Sequence, residues 1–190
     1  PPPTPPPRPP PPPLDNLRRQ RQMCIRDRWA PLHHLHGLDD QRLRVVLVAA
    51  LLHDIGKSLA LDGHHRHSAY LTEHARLRGL EPQELGAALS LIRYHRGGPP
   101  RRRFPPFDAL SKADRRATKT MAAILQLADA LDRSRDGGVE HVVVADNGSS
   151  LLLRLVGAQA TAPTGADARL AYVSDILGRS IEFIVDGDPP

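Results

Sequence analysis

Apolar residues recur at Ala117, Met121, Ile124, Ala128 and Leu131, in alternating steps of four and three. Only an α-helix carries positions so spaced on one face, so this stretch predicts a long helix packed along a core. Ser111 and Asp114 supply a capping-box-like start, with Asp where Glu is commoner. Within the apolar run Ile124-Leu125-Gln126-Leu127-Ala128-Asp129-Ala130-Leu131 stands one carboxylate, Asp129. Burying it is costly unless it is paired or bound to a cation. The helix therefore demands a partner for Asp129 from elsewhere in the chain.

Other segments follow the same period. Asp39 or Asp40 can cap a helix with Leu43, Val46, Leu47, Ala50 and Leu51 on one stripe, and Gly56 then reads as its left-handed stop. A second helix is predicted from about Ser68 to Arg78, ended by Gly79. A third opens at Pro82 and buries Leu85, Ala88, Leu89 and Ile92. Gly97 to Pro106 is a loop rich in Gly, Pro and Arg. Aromatic residues make up only 4% of the chain against 40% hydrophobic, a balance that suits packed helices better than a sandwich. Beyond Gly138 the period switches. Val139 to Ala145 and Leu151 to Val156 flank Asp146-Asn147-Gly148 as a β-hairpin. A short helix near Asp167 to Leu177 and a strand Ile181 to Val185 follow. The expected fold is mainly α: a helical bundle followed by a small α+β tail of hairpin, helix and strand.

The first 13 residues hold more than half of the chain's 20 prolines. With few amide donors and no apolar period, they predict a solvated polyproline-like tail. Arginine-rich sequence follows to Arg28, and Gln22-Met23-Cys24-Ile25-Arg26-Asp27-Arg28 resembles a translated sequencing adapter. The expected organisation is thus a disordered or non-native leader over 1–28, a helical domain over 29–137 and a small α/β subdomain over 138–187. The net charge of +5 and pI of about 10.0 favour an anionic partner. The single cysteine, Cys24, excludes an internal disulfide and fits a cytoplasmic setting. The longest apolar run, Val45 to Leu52, is too short to span a bilayer.

Chemistry concentrates at two places. His53-Asp54 closes an apolar helix inside Leu51-Leu52-His53-Asp54-Ile55-Gly56-Lys57, and Asp129 lies in the long helix. Adjacent His and Asp at a helix end reach toward one point beyond it. Nitrogen and carboxylate ligands together suit Mn, Mg, Fe or Zn. The alternative is a structural polar cluster without metal. Lys57, Arg93, Arg96, Arg101, Arg102 and Arg103 could hold phosphate, since guanidinium forks grip its oxygens bidentately. The alternative is a solvated basic loop. His64, His65 and His74 read as surface or loop residues.

His-Asp on one helix with a distant Asp on a core helix resembles the HD superfamily of metal-dependent phosphohydrolases. By that resemblance His67 and His95 become further metal ligands beside His53, Asp54 and Asp129. The upstream helix that supplies another histidine in that superfamily falls where this chain is proline-rich. A broader resemblance covers about Leu32 to Val185. Gly63-His64-His65-Arg66-His67-Ser68 with Tyr70-Leu71, then Arg93-Tyr94-His95-Arg96, then Leu127-Ala128-Asp129-Ala130-Leu131-Asp132-Arg133-Ser134 resemble the C-terminal domain of the exopolyphosphatase/guanosine pentaphosphatase (Ppx/GppA) family.

That resemblance implies an accessory domain that binds polyphosphate or another phosphorylated anion, mediates a homodimer, or does both. The family's phosphate-cleaving site lies in N-terminal actin-like domains, which nothing in this sequence resembles. Whether the chain is itself an enzyme stays open. The alternative expectation is a stand-alone HD phosphohydrolase acting on phosphomonoesters, phosphodiesters or nucleotides, with a metal activating water.

Overall fold

The computed structural model describes residues 32–131, 139, 141–157, 160, 162–163 and 168–185. The expected leader over 1–28 and the boundary at 137/138 lie outside the described residues. Along the chain run α1 (His33–His36), α2 (Asp40–Leu52), a 3-10 turn (Ile55–Ser58), α3 (His64–His74), α4 (Pro82–Tyr94), α5 (Pro105–Asp108), α6 (Lys112–Leu131), β1 (His141–Asp146), β2 (Ser150–Val156), α7 (Ala168–Leu177) and β3 (Ser180–Val185). This is the mainly helical fold with a small α+β tail that the periodicities predict. No helix among the described residues is long and apolar enough to cross a membrane.

Local chemistry sets the helix ends. The Asp39 carboxylate accepts from the Arg42 amide at 2.9 Å and caps α2, satisfying one of the donors a helix start leaves open. Glu81 and Glu84 form a reciprocal capping box around Pro82 at the start of α4. Ser111 Oγ accepts from the Asp114 amide at 3.0 Å and donates to the Asp114 carboxylate at 2.7 Å. Two expectations are corrected. The second helix begins at His64, four residues before Ser68, and ends at His74. Gly56 is not a left-handed stop: it lies in the 3-10 turn and is absent from the positive-φ positions.

Gly56 is needed for space instead. A Cβ there would meet the His64 carbonyl oxygen and the Ser68 nitrogen at 2.4 Å. Its amide donates to the buried Ser68 Oγ at 2.8 Å. The 3-10 turn is thereby pressed onto the first turn of α3, carrying Asp54 toward His64.

The core has two parts, both built on α6. Met121, Ile124, Leu125 and Ala128 pack with Val45, Val46 and Ala49 of α2, Ala88, Leu91 and Ile92 of α4, and Phe107. Ala123, Leu127 and Leu131 face the other way, toward Val142, Leu151, Leu153 and Leu155 of the sheet and Leu170, Val173 and Leu177 of α7. One long helix thus serves the bundle and the α/β tail together. In the sheet, β1 pairs antiparallel with β2, Val143 opposite Arg154, and β2 pairs parallel with β3 through the α7 crossover.

Candidate functional site

Three histidines converge between α2, α3 and α4. His53 follows the last residue of α2, His64 opens α3 and His95 follows the last residue of α4; all three are buried. Each is held in the same way. His53 Nδ1 lies 2.8 Å from the Ala50 carbonyl, His64 Nδ1 2.9 Å from Leu61, and His95 Nδ1 2.8 Å from Ile92. A carbonyl only accepts, so every Nδ1 donates outward and each ring turns its Nε2 inward.

The inward atoms crowd together. His64 Nε2 is 3.3 Å from His95 Nε2 and 3.3 Å from Asp54 Oδ1. His53 Nε2 is 3.7 Å from Asp54 Oδ2 and 3.6 Å from Asp129 Oδ1, and His95 Nε2 is 3.9 Å from Asp54 Oδ1. His53 Nε2 is fully enclosed and makes no hydrogen bond among the described residues. Burial, followed by the charge of His53, lowers the His95 imidazole to about 3, so at neutral pH the His95 Nε2 carries no proton. Burial raises the Asp129 carboxyl, but His53, His95 and Arg169 outweigh it and hold Asp129 below the ordinary carboxylate range. Of these, Arg169 is charged at every ordinary pH, and its Nη1 donates to Asp129 Oδ2 at 2.5 Å. Lys57 pairs with Asp54.

This donor set fits a divalent ion. His53, Asp54 and His95 bring ligand atoms within 4.8 Å of one another, close enough to hold one metal. Nitrogen donors about 2.0–2.1 Å from a tetrahedral ion stand about 3.3–3.4 Å apart, and the separations here begin at 3.3 Å. Histidine ligands characteristically donate their second ring nitrogen to a carbonyl, which all three do.

Of the residues singled out in the sequence, the structure brings His53, Asp54, His95 and Asp129 together. It does not bring His67 in. His67 is half-buried on α3 with its Nε2 beside Gly63, and His64 is the α3 residue that reaches Asp54. Reading His64 as a surface or loop residue is corrected by its burial. Its signal was Gly63, whose left-handed backbone (φ 64) starts the helix at His64. Arg169 had no signal, being 40 residues from Asp129 and across the hairpin.

The arginines divide. Arg93 is half-buried and its guanidinium is lowered by burial and then by Arg66 and, more weakly, Arg103. His65 is lowered to about 4 by burial, then by Arg93, His64, Arg66 and Arg96. Among the described residues, no carboxylate pairs with Arg66, Arg93, Arg96 or Arg103. Arg102 differs, donating to Asp108 at 2.6 Å, and Arg101 is exposed. Gln126, buried in α6, donates to the Tyr94 and Gly98 carbonyls at 2.9 and 3.0 Å, which fixes the turn carrying His95 and Arg96.

Fold and site together define a helical domain with a buried histidine–carboxylate cluster beside a crowded arginine face. The model of the family described as Ppx/GppA phosphatase, domain III, matches residues 19–156. The chain belongs to that family, as a domain of the exopolyphosphatase type. The match ends with β2, so α7 and Arg169 lie beyond it.

Proposed function

We propose that this chain is an accessory domain through which a Ppx/GppA phosphatase grips the phosphate chain of polyphosphate. One observation carries the reading: Arg66, Arg93 and Arg96 crowd around His65, and Arg66 and Arg103 bear on Arg93, with their charges mutually unfavourable. Like charges within a few ångströms of one another destabilise a surface unless an anion compensates them. A polyphosphate supplies closely spaced charges along a flexible chain, matching a run of guanidiniums better than a single phosphate does. Arg101 and Arg102 adjoin Arg103 in sequence, and the actin-like domains that the family carries would perform the cleavage. The family resemblance, rather than any geometry, supports a homodimer and a cytoplasmic setting; light scattering of the purified chain tests the former.

The test is a titration of fluorescently labelled polyphosphate against the chain at low salt. Binding is expected, with at least about a tenfold loss when Arg66, Arg93 and Arg96 are all changed to Gln. No affinity at low salt, or equal affinity in the triple variant, removes the reading.

A second reading rests on the enclosed, unbonded Nε2 of His53. His53, Asp54, His64 and His95 would hold a divalent ion such as Mn, Mg, Fe or Zn, with Asp129 beside it. When bound, the ion supplies Lewis acidity toward a phosphoryl group. The protein's own part is to orient three imidazoles through carbonyl bonds and to offer arginines to the phosphate oxygens, as a metal-dependent phosphohydrolase needs. Metal analysis after purification from manganese-supplemented medium tests it, alongside the His53→Ala variant. Metal-free protein in both cases would leave only the accessory role.

A further inference from the structure

We propose that Arg169 is a built-in competitor for metal at Asp129 and that it couples the C-terminal helix α7 to occupancy of the histidine cluster. The inference rests on the metal reading above and concerns how that site is regulated.

Arg169 belongs to α7, in the α/β tail, yet its side chain is only 8% exposed and its guanidinium lies against the Asp129 carboxylate on α6. Its aliphatic stem passes the turn that follows His95, where a Cβ on Gly97 would stand 3.6 Å from Arg169 Cγ. The two Asp129 oxygens face opposite demands. Oδ2 is taken by Arg169, while Oδ1 stands 3.6 Å from the unbonded His53 Nε2. One carboxylate therefore joins the helix that closes the fold to the cluster at the heart of the bundle.

A fixed guanidinium and an arriving divalent cation compete for the same negative charge. Like charges a few ångströms apart repel across this partly buried site. The ion pair also orders Asp129, which would help a metal, but orienting a single carboxylate is worth less than removing a full buried positive charge. Charge decides the sign. Arg169 weakens the metal, and by thermodynamic reciprocity the metal weakens the hold of Arg169 on α6. Lys57 plays a similar electrostatic part at Asp54, three residues away on the same turn.

The experiment titrates Mn2+ into the wild-type chain, Arg169→Gln and Arg169→Lys, following free Mn2+ by electron paramagnetic resonance. Arg169→Gln is expected to bind Mn2+ at least about tenfold tighter, while Arg169→Lys, keeping the charge, stays near wild type. Should Arg169→Gln fail to fold, hydrogen exchange on the unaltered chain gives an independent answer: Mn2+ is expected to speed exchange across Ala168–Leu177. Unchanged or weaker Mn2+ affinity in Arg169→Gln, or unchanged or slower exchange in α7, overturns the proposal. Wild-type binding that His53→Ala abolishes but Arg169→Gln does not tighten would sink the competition alone. No binding in any variant would sink the metal reading with it.

Discussion

Replacing Gly56 with alanine turns the geometry of the cluster into a sign. Gly56 does not have a positive φ, so where space allowed, alanine would stabilise by about 0.4–1 kcal/mol through a less flexible unfolded chain. Space does not allow it. The new Cβ would sit 2.4 Å from the His64 carbonyl oxygen and from the Ser68 nitrogen, and 2.8 Å from His67 Cβ. The first two are backbone atoms on the opening turn of α3 and cannot swing aside as a side-chain tip would. Clearing the overlap to 3.0 Å requires about 0.6 Å of movement, the scale at which overpacking costs about 1–3 kcal/mol. The same movement stretches the buried bond from the Gly56 amide to Ser68 Oγ, 2.8 Å long, worth about 0.5–1.5 kcal/mol. The net expectation is a loss of about 2 kcal/mol, or roughly 4–8 °C in Tm for a chain of this size. Urea unfolding and calorimetry on both proteins measure it. A Gly56→Ala variant as stable as wild type, or more so, would refute the close packing that brings Asp54 to His64.

Other outcomes follow from the same contacts. Ser68→Ala removes the acceptor for the enclosed Gly56 amide and should cost about 1–3 kcal/mol in urea unfolding, whereas an exposed change such as Glu73→Ala should cost little. Leu127→Ala, in the part of the core shared by α6, the sheet and α7, should lose about 2–5 kcal/mol; unfolding of the tail and bundle in one transition would show that α6 joins them. The Glu84 carboxyl is held below its ordinary 4.5 by the Glu81 amide, against burial, with help from Gln41 and Arg44. A carboxyl lowered in the folded state contributes stability above about pH 4.5 that is lost as the pH falls through its folded value. Glu84→Gln should therefore flatten the acid limb of the stability profile, and an unaltered limb would contradict the assignment.

How much of this was legible in the sequence depended on the physics each residue obeys. Helix α6 was legible because burial repeats along it, and Asp129 because a carboxylate in apolar surroundings contradicts its neighbours. His53 and Asp54 followed, since they end an apolar stripe beside a turn. His64 was not legible by the same means. Its ring folds back on the Leu61 carbonyl rather than along the stripe of α3, and histidine carries no apolar signal. Gly56 showed that the chain turned there, but a glycine used for close approach looks the same in sequence as one used for a left-handed bend. Arg169 and Asp129 meet only because the hairpin and crossover return α7 to α6, a tertiary fact with no local pattern. The crowding of Arg66 against Arg93 likewise depends on α3 lying beside α4.

The salt dependence of polyphosphate affinity probes the arginine face most directly. If about four phosphates are neutralised there, a plot of log affinity against log salt should fall with a slope of about −3, and changing Arg93 and Arg96 to Gln should make it shallower by about one per lost contact. An affinity indifferent to salt, or a slope that those two substitutions leave unchanged, would contradict the account.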